Sequence, residues 1–207
     1  MPSAWSGFLG QPATFNVGVE SAATHSGIYA AYISNSGPAP DSTFATIAQY
    51  LRPDLYAGRR VRLSAWLRPT GVTLPTTAAA GDPAPVSGIW MRVDGPGEVL
   101  AFDNMQSRPV IGTTDWQLVS VVLDVPTGAT GISFGVLFSG SGQLLADDVA
   151  IDTVGISIPT TSMMTTPVVN SSVSSYQSDP LSPANLDFET VVRHALLPGI
   201  TAGVKPR

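Results

Sequence analysis

The sequence predicts an all-β protein built from two antiparallel sheets, and three observations lead to that fold class. The chain has 207 residues, with 20 Gly and 18 Pro spread along it, and both residue types disfavour long helices. Hydrophobic residues make up 43% of the chain, which is enough to bury a substantial core. Short segments of alternating apolar and polar residues recur between clusters of Gly, Pro, Asn and Asp, a pattern typical of sandwiches and barrels.

Nine segments have the period-2 alternation of strands. In chain order they cover residues 14–20, 27–34, 43–51, 59–68, 88–94, 98–103, 116–125, 131–138 and 143–153. Nine strands at this spacing favour an antiparallel two-sheet fold. We therefore expect a sandwich domain over residues 1–158.

Two regions depart from the strand pattern. Residues 70–87 lack periodicity and predict a long loop between two strands, and loops of this length are often functional or mobile. Residues 159–184 are rich in Ser, Thr and Pro and predict an extended tail that packs on the surface. Residues 185–197 regain apolar side chains, so we expect residues 185–207 to close the same domain with a last strand or a short helix.

The composition argues against several classes of partner. The net charge is −5 and Lys205 is the only lysine, so no basic face can neutralise phosphates, and we expect no contact with nucleic acid. No apolar run reaches the roughly 18 residues that a membrane helix requires. The first residues show no basic region followed by an apolar run. We therefore expect a cytoplasmic protein that does not contact membranes.

Several segments of the chain resemble segments of known proteins. "THSGIYAAYI" (24–33), "YAGRRVRLSAWLRP" (56–69) and "LLADDVAID" (144–152) are similar to segments of carbohydrate-binding modules of the family 4 and 9 type, which share the galactose-binding-like sandwich. "LAFDNMQSRPVIGTTDWQ" (100–117) and "NLDFE" (185–189) resemble a bacterial single-domain group that is also found joined to arabinose-regulator-type transcription factors. The resemblance implies a jelly-roll β-sandwich and a binding function, and it carries over no catalytic residues. With the tail predicted above, we expect a jelly-roll β-sandwich with an extended C-terminal tail.

Alternation within the predicted strands sorts side chains into a core row and an open row. Trp66 lies in the open row of its strand, and Trp90 and Arg92 lie in the open row of the next. Gln49 and Tyr50, on the two sides of the preceding strand, are further candidates. An aromatic ring beside hydrogen-bonding groups suits a sugar or a polycyclic metabolite. We expect the two Trp-bearing strands to be neighbours, so that these side chains share one solvent-facing ligand site.

The polar cluster in "LAFDNMQ" extends this predicted site. We expect Leu100 and Phe102 to enter the core, which turns Asp103 toward the ligand and leaves Asn104 and Gln106 in the loop that follows. These three polar residues complete the set of predicted ligand contacts.

Alternatives stay open for several of these residues. A ligand role would let Asp103 pair with Arg92 across the strands, but Asp103 and Asn104 at a strand end can instead satisfy loop amides. Trp66 and Trp90 can serve packing alone, because Trp in a strand is commonly half-buried.

Motifs for a specific chemistry are absent from the sequence. There is no cysteine, which excludes disulfides and thiolate metal sites. His25 and His194 are the only histidines, and neither has a base or nucleophile at a recognisable spacing. Asp147 and Asp148 are adjacent on a strand and should point to opposite faces, so they cannot act as one carboxylate pair. We expect no cofactor and no metal, although the fold allows a structural calcium ion held by loop carbonyls and an Asp.

Three functions fit these observations. The first is a binding domain whose open sheet face or cleft takes a small organic ligand, either sugar-like or polycyclic. The alternative is a cofactor-independent cyclase or isomerase of a biosynthetic intermediate, for example a polyketide, that holds its substrate in a reactive conformer while Asp103, Arg92 or Tyr50 polarises it. The third is a purely structural or interaction module. The sequence determines neither the ligand nor the oligomeric state.

Overall fold

A computed structural model shows a β-sandwich and describes residues 2–9, 14–38, 43–75, 84–169 and 180–191. None of these residues is helical, so the described chain holds no helix that is long and apolar enough to cross a membrane. The predicted all-β, antiparallel two-sheet jelly-roll sandwich is confirmed.

The described strands form two sheets. In chain order they are β1 (Ser6–Leu9), β2 (Asn16–Glu20), β3 (Ala30–Asn35), β4 (Ala45–Leu51), β5 (Arg59–Thr73), β6 (Ser87–Gly95), β7 (Glu98–Asp103), β8 (Gln117–Val125), β9 (Gly131–Phe138), β10 (Ser141–Val154) and β11 (Val168–Val169). One sheet has six strands in the order β1-β4-β9-β6-β7-β11, and the other has five in the order β2-β3-β10-β5-β8. Most neighbours in a sheet are therefore distant in sequence.

All nine predicted strands are present in the structure. The predicted loop at 70–87 begins later than expected, because β5 continues to Thr73; residues 76–83 of that loop lie outside the described residues. The sequence did not predict β1 or β11, which have only four and two residues. Segments this short carry too few side chains for alternation to reveal them.

The core lies between the two sheets and contains the inward row of each strand. In β5 this row is Val61, Leu63, Ala65 and Leu67, all fully buried. The facing sheet supplies the inward rows of β6 and β9, which are Ile89, Met91, Val93, Ile132, Phe134, Val136 and Phe138. Burial of each large apolar side chain contributes about 1.5–3 kcal/mol. The side chains of the outward rows are therefore not needed to fill this core.

The chain that follows β10 closes one edge of the sandwich. The amide of Thr161 donates to the carbonyl of Val122 in β8 at 2.8 Å, and the amide of Met163 donates to the carbonyl of Phe102 in β7 at 2.8 Å. Since β8 and β7 belong to different sheets, this part of the tail runs over the surface from one sheet to the other. β11 then pairs with β7.

Residues 185–191 return to the beginning of the chain. The amide of Ser3 donates to the carbonyl of Thr190 at 2.8 Å, and Pro2 and Val191 form an isolated antiparallel bridge. Residues 185–191 form turns and this one bridge. Residues 192–207 lie outside the described part of the chain, so the last strand or short helix expected over residues 185–207 stays a prediction.

Candidate functional site

The tryptophans of the predicted site lie on opposite sides of the molecule. Trp66 is in β5 of the five-stranded sheet, whereas Trp90 and Arg92 are in β6 of the six-stranded sheet. Their strand neighbours are buried in the core, so all three side chains point outward, but onto different faces. The prediction that the two Trp-bearing strands are neighbours was wrong. Alternation shows which side of a strand faces the core and does not show which sheet holds the strand.

The outer face of the six-stranded sheet, here called the six-strand face, has small side chains in its middle. The strand register places Ala48, Gly135 and Trp90 in one row and Tyr50, Ser133 and Arg92 in the next. Tyr50 is 41% exposed. Tyr50, Trp90 and Arg92 thus lie on one face, and the small residues between them, Ala48, Ser133 and Gly135, are buried.

The indole of Trp90 has a fixed orientation on this face. Its Nε1 donates to Oγ1 of Thr46 in β4 at 2.9 Å, and the Thr46 hydroxyl donates in turn to the carbonyl of Val136 at 2.7 Å. β9 lies between β6 and β4, and neighbouring strands are about 4.8 Å apart. The ring must therefore extend across β9. It is half-buried and presents an aromatic surface to solvent.

Arg92 is held by a carboxylate of its own strand. Asp94 lies two residues further on the same side and is fully buried, and its Oδ2 accepts from Nη2 of Arg92 at 3.0 Å. The predicted pair between Asp103 and Arg92 was wrong, since Asp103 binds a different arginine. The Arg92–Asp94 contact keeps a guanidinium beside Trp90, and a guanidinium offers directed N–H donors to oxygen atoms.

Asp103 points into the sandwich and not onto the six-strand face. The buried row of β7 is Val99, Ala101 and Asp103, and the outer row includes Leu100 and Phe102. This is the reverse of the prediction. Both rows of the strand contain apolar side chains, so alternation could not choose between them, and the register with β6 places Asp103 opposite a buried residue.

The carboxylate of Asp103 anchors the loop that follows it. Its Oδ2 accepts from Nη2 of Arg108 at 2.7 Å, and its Oδ1 accepts from the amide of Met105 at 2.8 Å. Nη2 of Arg108 also donates to the carbonyl of Ser120 in β8 at 3.1 Å. Because β7 and β8 belong to different sheets, this pair links the two sheets. A buried carboxylate is costly unless it is paired in this way.

Asn104 and Gln106 belong to the same loop. Oδ1 of Asn104 accepts from the amide of Gln106 at 3.2 Å, and the Asn104 side chain is buried. The geometry is that of a polar side chain that satisfies loop amides. The structure therefore does not bring Asp103, Asn104 and Gln106 together with Trp90 on the six-strand face.

Gln49 faces the interior, although it was predicted as a ligand contact. It is 3% exposed. Its Nε2 donates to the carbonyl of Ala184 at 2.6 Å, and its Oε1 accepts from the amide of the same residue at 3.1 Å. Both polar atoms of this side chain are thus used to hold the returning chain.

The outer face of the five-stranded sheet, here called the five-strand face, is covered around Trp66. The imidazole of His25 stacks on the Trp66 indole, with ring centroids 4.0 Å apart and 15° between the planes. The same imidazole meets Trp116 edge to face at 5.7 Å. His25 therefore occupies a surface of Trp66 that a planar ligand would need.

Two adjacent aspartates hold this cover. β10 is irregular between Asp147 and Ala150, so both carboxylates turn to the same loop, against the prediction that they diverge. Asp147 accepts from the amides of His25 and Ser26 at 2.8 and 3.1 Å, and Oδ2 of Asp148 lies 2.6 Å from Nδ1 of His25. Burial raises the pKa of Asp147, and hydrogen bonds from backbone amides partly offset the rise.

A groove of about 390 Å³ lies beside this loop, lined by Asp148, Val149, Ala150, Asn185, Leu186 and Asp187. No group of three or more His, Asp or Glu in the described part of the chain is arranged to hold a metal ion. The carboxylate of Asp147 faces N–H donors, which is not how a protein holds calcium. The prediction of no cofactor, with a structural calcium ion that the fold allows, stays a prediction.

Several partners of the site residues were not predicted. Thr46, Asp94 and Gly135 support Trp90 and Arg92, and His25 covers Trp66. Of these, only the contact of Asp94 could have been predicted from the sequence. Asp94 follows Arg92 by two residues, so the two side chains lie on the same face of the strand. The others come from strands or loops that are distant in sequence.

A comparison with known sequences finds one informative relative. No family model matches the chain. The uncharacterized HTH-type transcriptional regulator YbfP of Bacillus subtilis (strain 168) is 37% identical over 153 residues, covering 73% of this chain and 48% of the relative. The chain thus spans about half the length of the curated relative that it matches. This agrees with the predicted likeness to a group also joined to transcription factors.

Three solved structures are similar to this chain at low sequence identity. The enzymatically active domain of tailspike protein 4 of bacteriophage CBA120 gives a TM-score of 0.52 at 16% identity, covering 74% of this chain and 20% of that chain. The CBM22-1 xylan-binding domain of Paenibacillus barcinonensis Xyn10C gives 0.48 at 16% identity, covering 73% and 86%. The Stig cyclase Fisc of Fischerella sp. TAU gives 0.49 at 17% identity, covering 74% and 86%. At 16% identity, the likeness to the tailspike domain indicates a shared fold alone, and the family 4 and 9 type stays a prediction.

Proposed function

We propose that this chain binds a small organic ligand, sugar-like or polycyclic, on the six-strand face. The observation that carries the proposal is the Trp90 indole, which is fixed by Thr46 across β9 and lies beside the row that contains Arg92. A flat apolar surface next to directed hydrogen-bond donors is what a sugar ring or a fused-ring compound requires.

Exposed aromatic side chains continue across the same face. Phe8 in β1 lies opposite Thr46 and is 55% exposed, and Tyr50 is 41% exposed. Together with Trp90 they border the small residues Ala48 and Gly135. Exposed apolar surface of this kind is typical of binding sites. On the five-strand face, by contrast, His25 is stacked on Trp66.

Isothermal titration with a panel of oligosaccharides, indole and other fused-ring compounds tests the proposal. Wild type should bind one of these classes, and Trp90→Ala should weaken that binding by about ten- to a hundredfold, since lost ring contact is worth roughly 1.5–3 kcal/mol. Trp66→Ala is the matched control and should stay within about twofold of wild type. Equal affinities of wild type and Trp90→Ala would refute this site.

A cofactor-independent cyclase or isomerase is the second candidate. The row that contains Tyr50, Ser133 and Arg92 favours it, because a phenol and a guanidinium lie on the same face as the Trp90 platform. Asp103 no longer contributes, since its carboxylate is buried against Arg108. Such an enzyme would orient a flexible substrate on Trp90 while Arg92 or Tyr50 stabilises developing charge.

Product analysis separates the two candidates. For an enzyme, Tyr50→Phe should lower turnover of a bound compound by about ten- to a hundredfold while its affinity changes little. A compound that binds wild type and is recovered unchanged after prolonged incubation supports the binding function and contradicts the enzymatic one.

The curated relative suggests a setting for the binding function. In a chain that also carries a DNA-binding part, the six-strand face would bind a metabolite as a sensor. The DNA-binding part would make the DNA contacts, because this chain has a net charge of −5. A ligand found by titration should then change the DNA affinity of such a regulator. An unchanged DNA affinity at saturating ligand would contradict the sensory role.

A further inference from the structure

The six-strand face carries a row of apolar side chains that ends at Trp90. The strand register places Phe8, Thr46 and Leu137 side by side across β1, β4 and β9. The indole of Trp90 reaches this row from β6, because its Nε1 donates to Oγ1 of Thr46 at 2.9 Å. The ring of Phe44 lies beside that of Phe8, with 5.6 Å between the centroids. Phe8, Phe44, Leu137 and Trp90 are here called the apolar strip.

The apolar strip is long and open to solvent. Phe8 is 55% exposed, and the other three side chains are half-buried. β1 and β6 are separated by three strand spacings, or about 14 Å. A compound of several fused rings and a short oligosaccharide both fit this length. The polar groups around the apolar strip must therefore decide which class of ligand it binds.

The hydroxyl group within the row already has protein partners. Oγ1 of Thr46 accepts from the Trp90 indole and donates to the carbonyl of Val136 at 2.7 Å, and Thr46 is buried. The remaining outward polar side chains in the described strands β4, β6 and β9 are those of Tyr50, Arg92, Asp94 and Ser133. They lie in the rows beyond Trp90, on the side away from Phe8. The apolar strip thus offers a ligand few directed hydrogen bonds.

The two charged side chains on the central strands of this face balance each other. Nε of Arg92 lies 2.9 Å from Oδ1 of Asp94, and Nη2 of Arg92 donates to Oδ2 of Asp94 at 3.0 Å. This two-point contact directs the guanidinium toward its own carboxylate. Among the described outward residues of β4, β6 and β9, no other side chain is charged. These strands therefore present no excess charge that would attract an anion or a cation.

An apolar strip with balanced charges beside it suits fused rings better than sugars. A sugar ring carries hydroxyl groups around its edge, and a hydroxyl that leaves water without a new partner weakens binding. A fused ring has no such groups over most of its surface, so stacking on Trp90 and Phe8 gains the full benefit of apolar burial. An ionised substituent would lose water without meeting an excess of opposite charge.

We infer that the apolar strip selects an uncharged compound of several fused rings over a sugar. The inference rests on the proposed binding function and specifies the ligand class of the same site. The bound compound stacks on Trp90 and extends toward Phe8, with its few polar substituents at the edges that face solvent or Arg92.

Titrations at neutral pH compare two uncharged fused-ring compounds, 2-naphthol and 9-phenanthrol, with two sugars, xylohexaose and cellohexaose. Wild type should bind 9-phenanthrol roughly tenfold more tightly than 2-naphthol, because the third ring adds apolar contact, and roughly tenfold or more above either sugar. Phe8→Ala should weaken 9-phenanthrol binding roughly three- to tenfold. Leu118→Ala is the matched control, since Leu118 is 58% exposed on the five-strand face, and it should change this affinity less than about twofold.

Charged relatives of 2-naphthol test the balance between Arg92 and Asp94. Wild type should bind 2-naphthoate and 2-naphthylmethylammonium no more tightly than 2-naphthol. Asp94→Asn leaves the charge of Arg92 unbalanced, so it should raise the affinity for 2-naphthoate roughly tenfold and keep that for 2-naphthol within about twofold. Should Asp94→Asn not fold, the comparison of the three compounds on wild type decides the point.

The outcomes separate this inference from the proposed function. A sugar that binds more tightly than 9-phenanthrol, and whose affinity falls in Trp90→Ala, would overturn the inference and leave the proposed function standing. Tighter binding of either charged compound by wild type would overturn the uncharged class. If no compound binds, or if Trp90→Ala binds 9-phenanthrol as wild type does, the inference and the proposed function both fail. A doubled mass in light scattering that Phe8→Ala halves would show that a second copy covers the apolar strip, and would also overturn the inference.

Discussion

The two outer faces of the sandwich carry the same strand pattern, but their tryptophans have different surroundings. In β5 and in β6 a Trp alternates with apolar core residues and shares its outward row with arginines. On the five-strand face, His25 stacks on Trp66 and two aspartates hold the loop in place. On the six-strand face, Trp90 bonds to Thr46 and stays partly exposed.

This difference teaches that an outward side chain is not the same as an accessible one. The residue that covers Trp66 is about 40 positions earlier in the chain, and the carboxylates that hold it are about 80 positions later. A strand pattern reports only on the strand itself. The same pattern can therefore produce a binding surface on one face and a loop support on the other.

The largest expected effect concerns the middle of the six-strand face. A Cβ added at Gly135 would lie 2.0 Å from the carbonyl oxygen of Ile47, so Gly135→Ala must displace β4. We expect a loss of at least about 3 kcal/mol in the free energy of unfolding, measured in urea. Gly128→Ala is the matched control, because nothing lies within 4 Å of its added Cβ. Equal stability of the two variants would mean that β4 and β9 are packed differently.

On the five-strand face, Asp147→Ala should uncover Trp66. The substitution removes the acceptor for the amides of His25, Ser26 and Asp148. We expect a loss of about 2–3 kcal/mol in unfolding free energy, together with stronger iodide quenching of tryptophan fluorescence. Asp152→Ala, which removes only an exposed carboxylate 3.5 Å from Arg62, should show neither change. Unchanged quenching in Asp147→Ala would show that the loop has another anchor.

The pKa of Asp147 gives the same face a pH dependence. Burial raises this pKa in the folded protein, so the fold favours the protonated carboxyl group. Its stabilising contribution is fully present below the ordinary pKa of about 3.9 and is lost as the pH rises through the folded-state pKa. The unfolding free energy of wild type relative to Asp147→Asn should therefore fall over that window. A constant difference across a pH series would contradict the shift, and ¹³C NMR of the carboxyl carbon measures it directly.

The smallest expected effects come from removing one side chain that contacts the tryptophan on each face. His25→Ala removes the stack on Trp66, and Thr46→Val removes the acceptor for Trp90. Each should cost about 1 kcal/mol in unfolding free energy. Only Thr46→Val should also weaken ligand binding, because only that variant releases the Trp90 ring. Equal ligand affinity in both variants would remove the functional distinction between the faces.

Prediction from the sequence succeeded where a signal is local. The strands were found because their alternation is repeated over several residues, and the outward position of Trp90 and Arg92 follows from the same rule. Asp103 was assigned to the wrong side, since both rows of β7 are largely apolar. Gln49 was taken as a ligand contact because nothing local indicates that it binds the backbone of Ala184.

The sequence by itself determined the all-β class, the strands long enough to alternate, and the side of β5 and β6 that faces the core, because each depends on residues within one strand. Only the tertiary structure decided that β5 and β6 lie in different sheets, that His25 covers Trp66, and that residues 184–191 pack beside Trp5. Those arrangements depend on contacts between segments far apart in the chain, and they form only when the core brings the segments together.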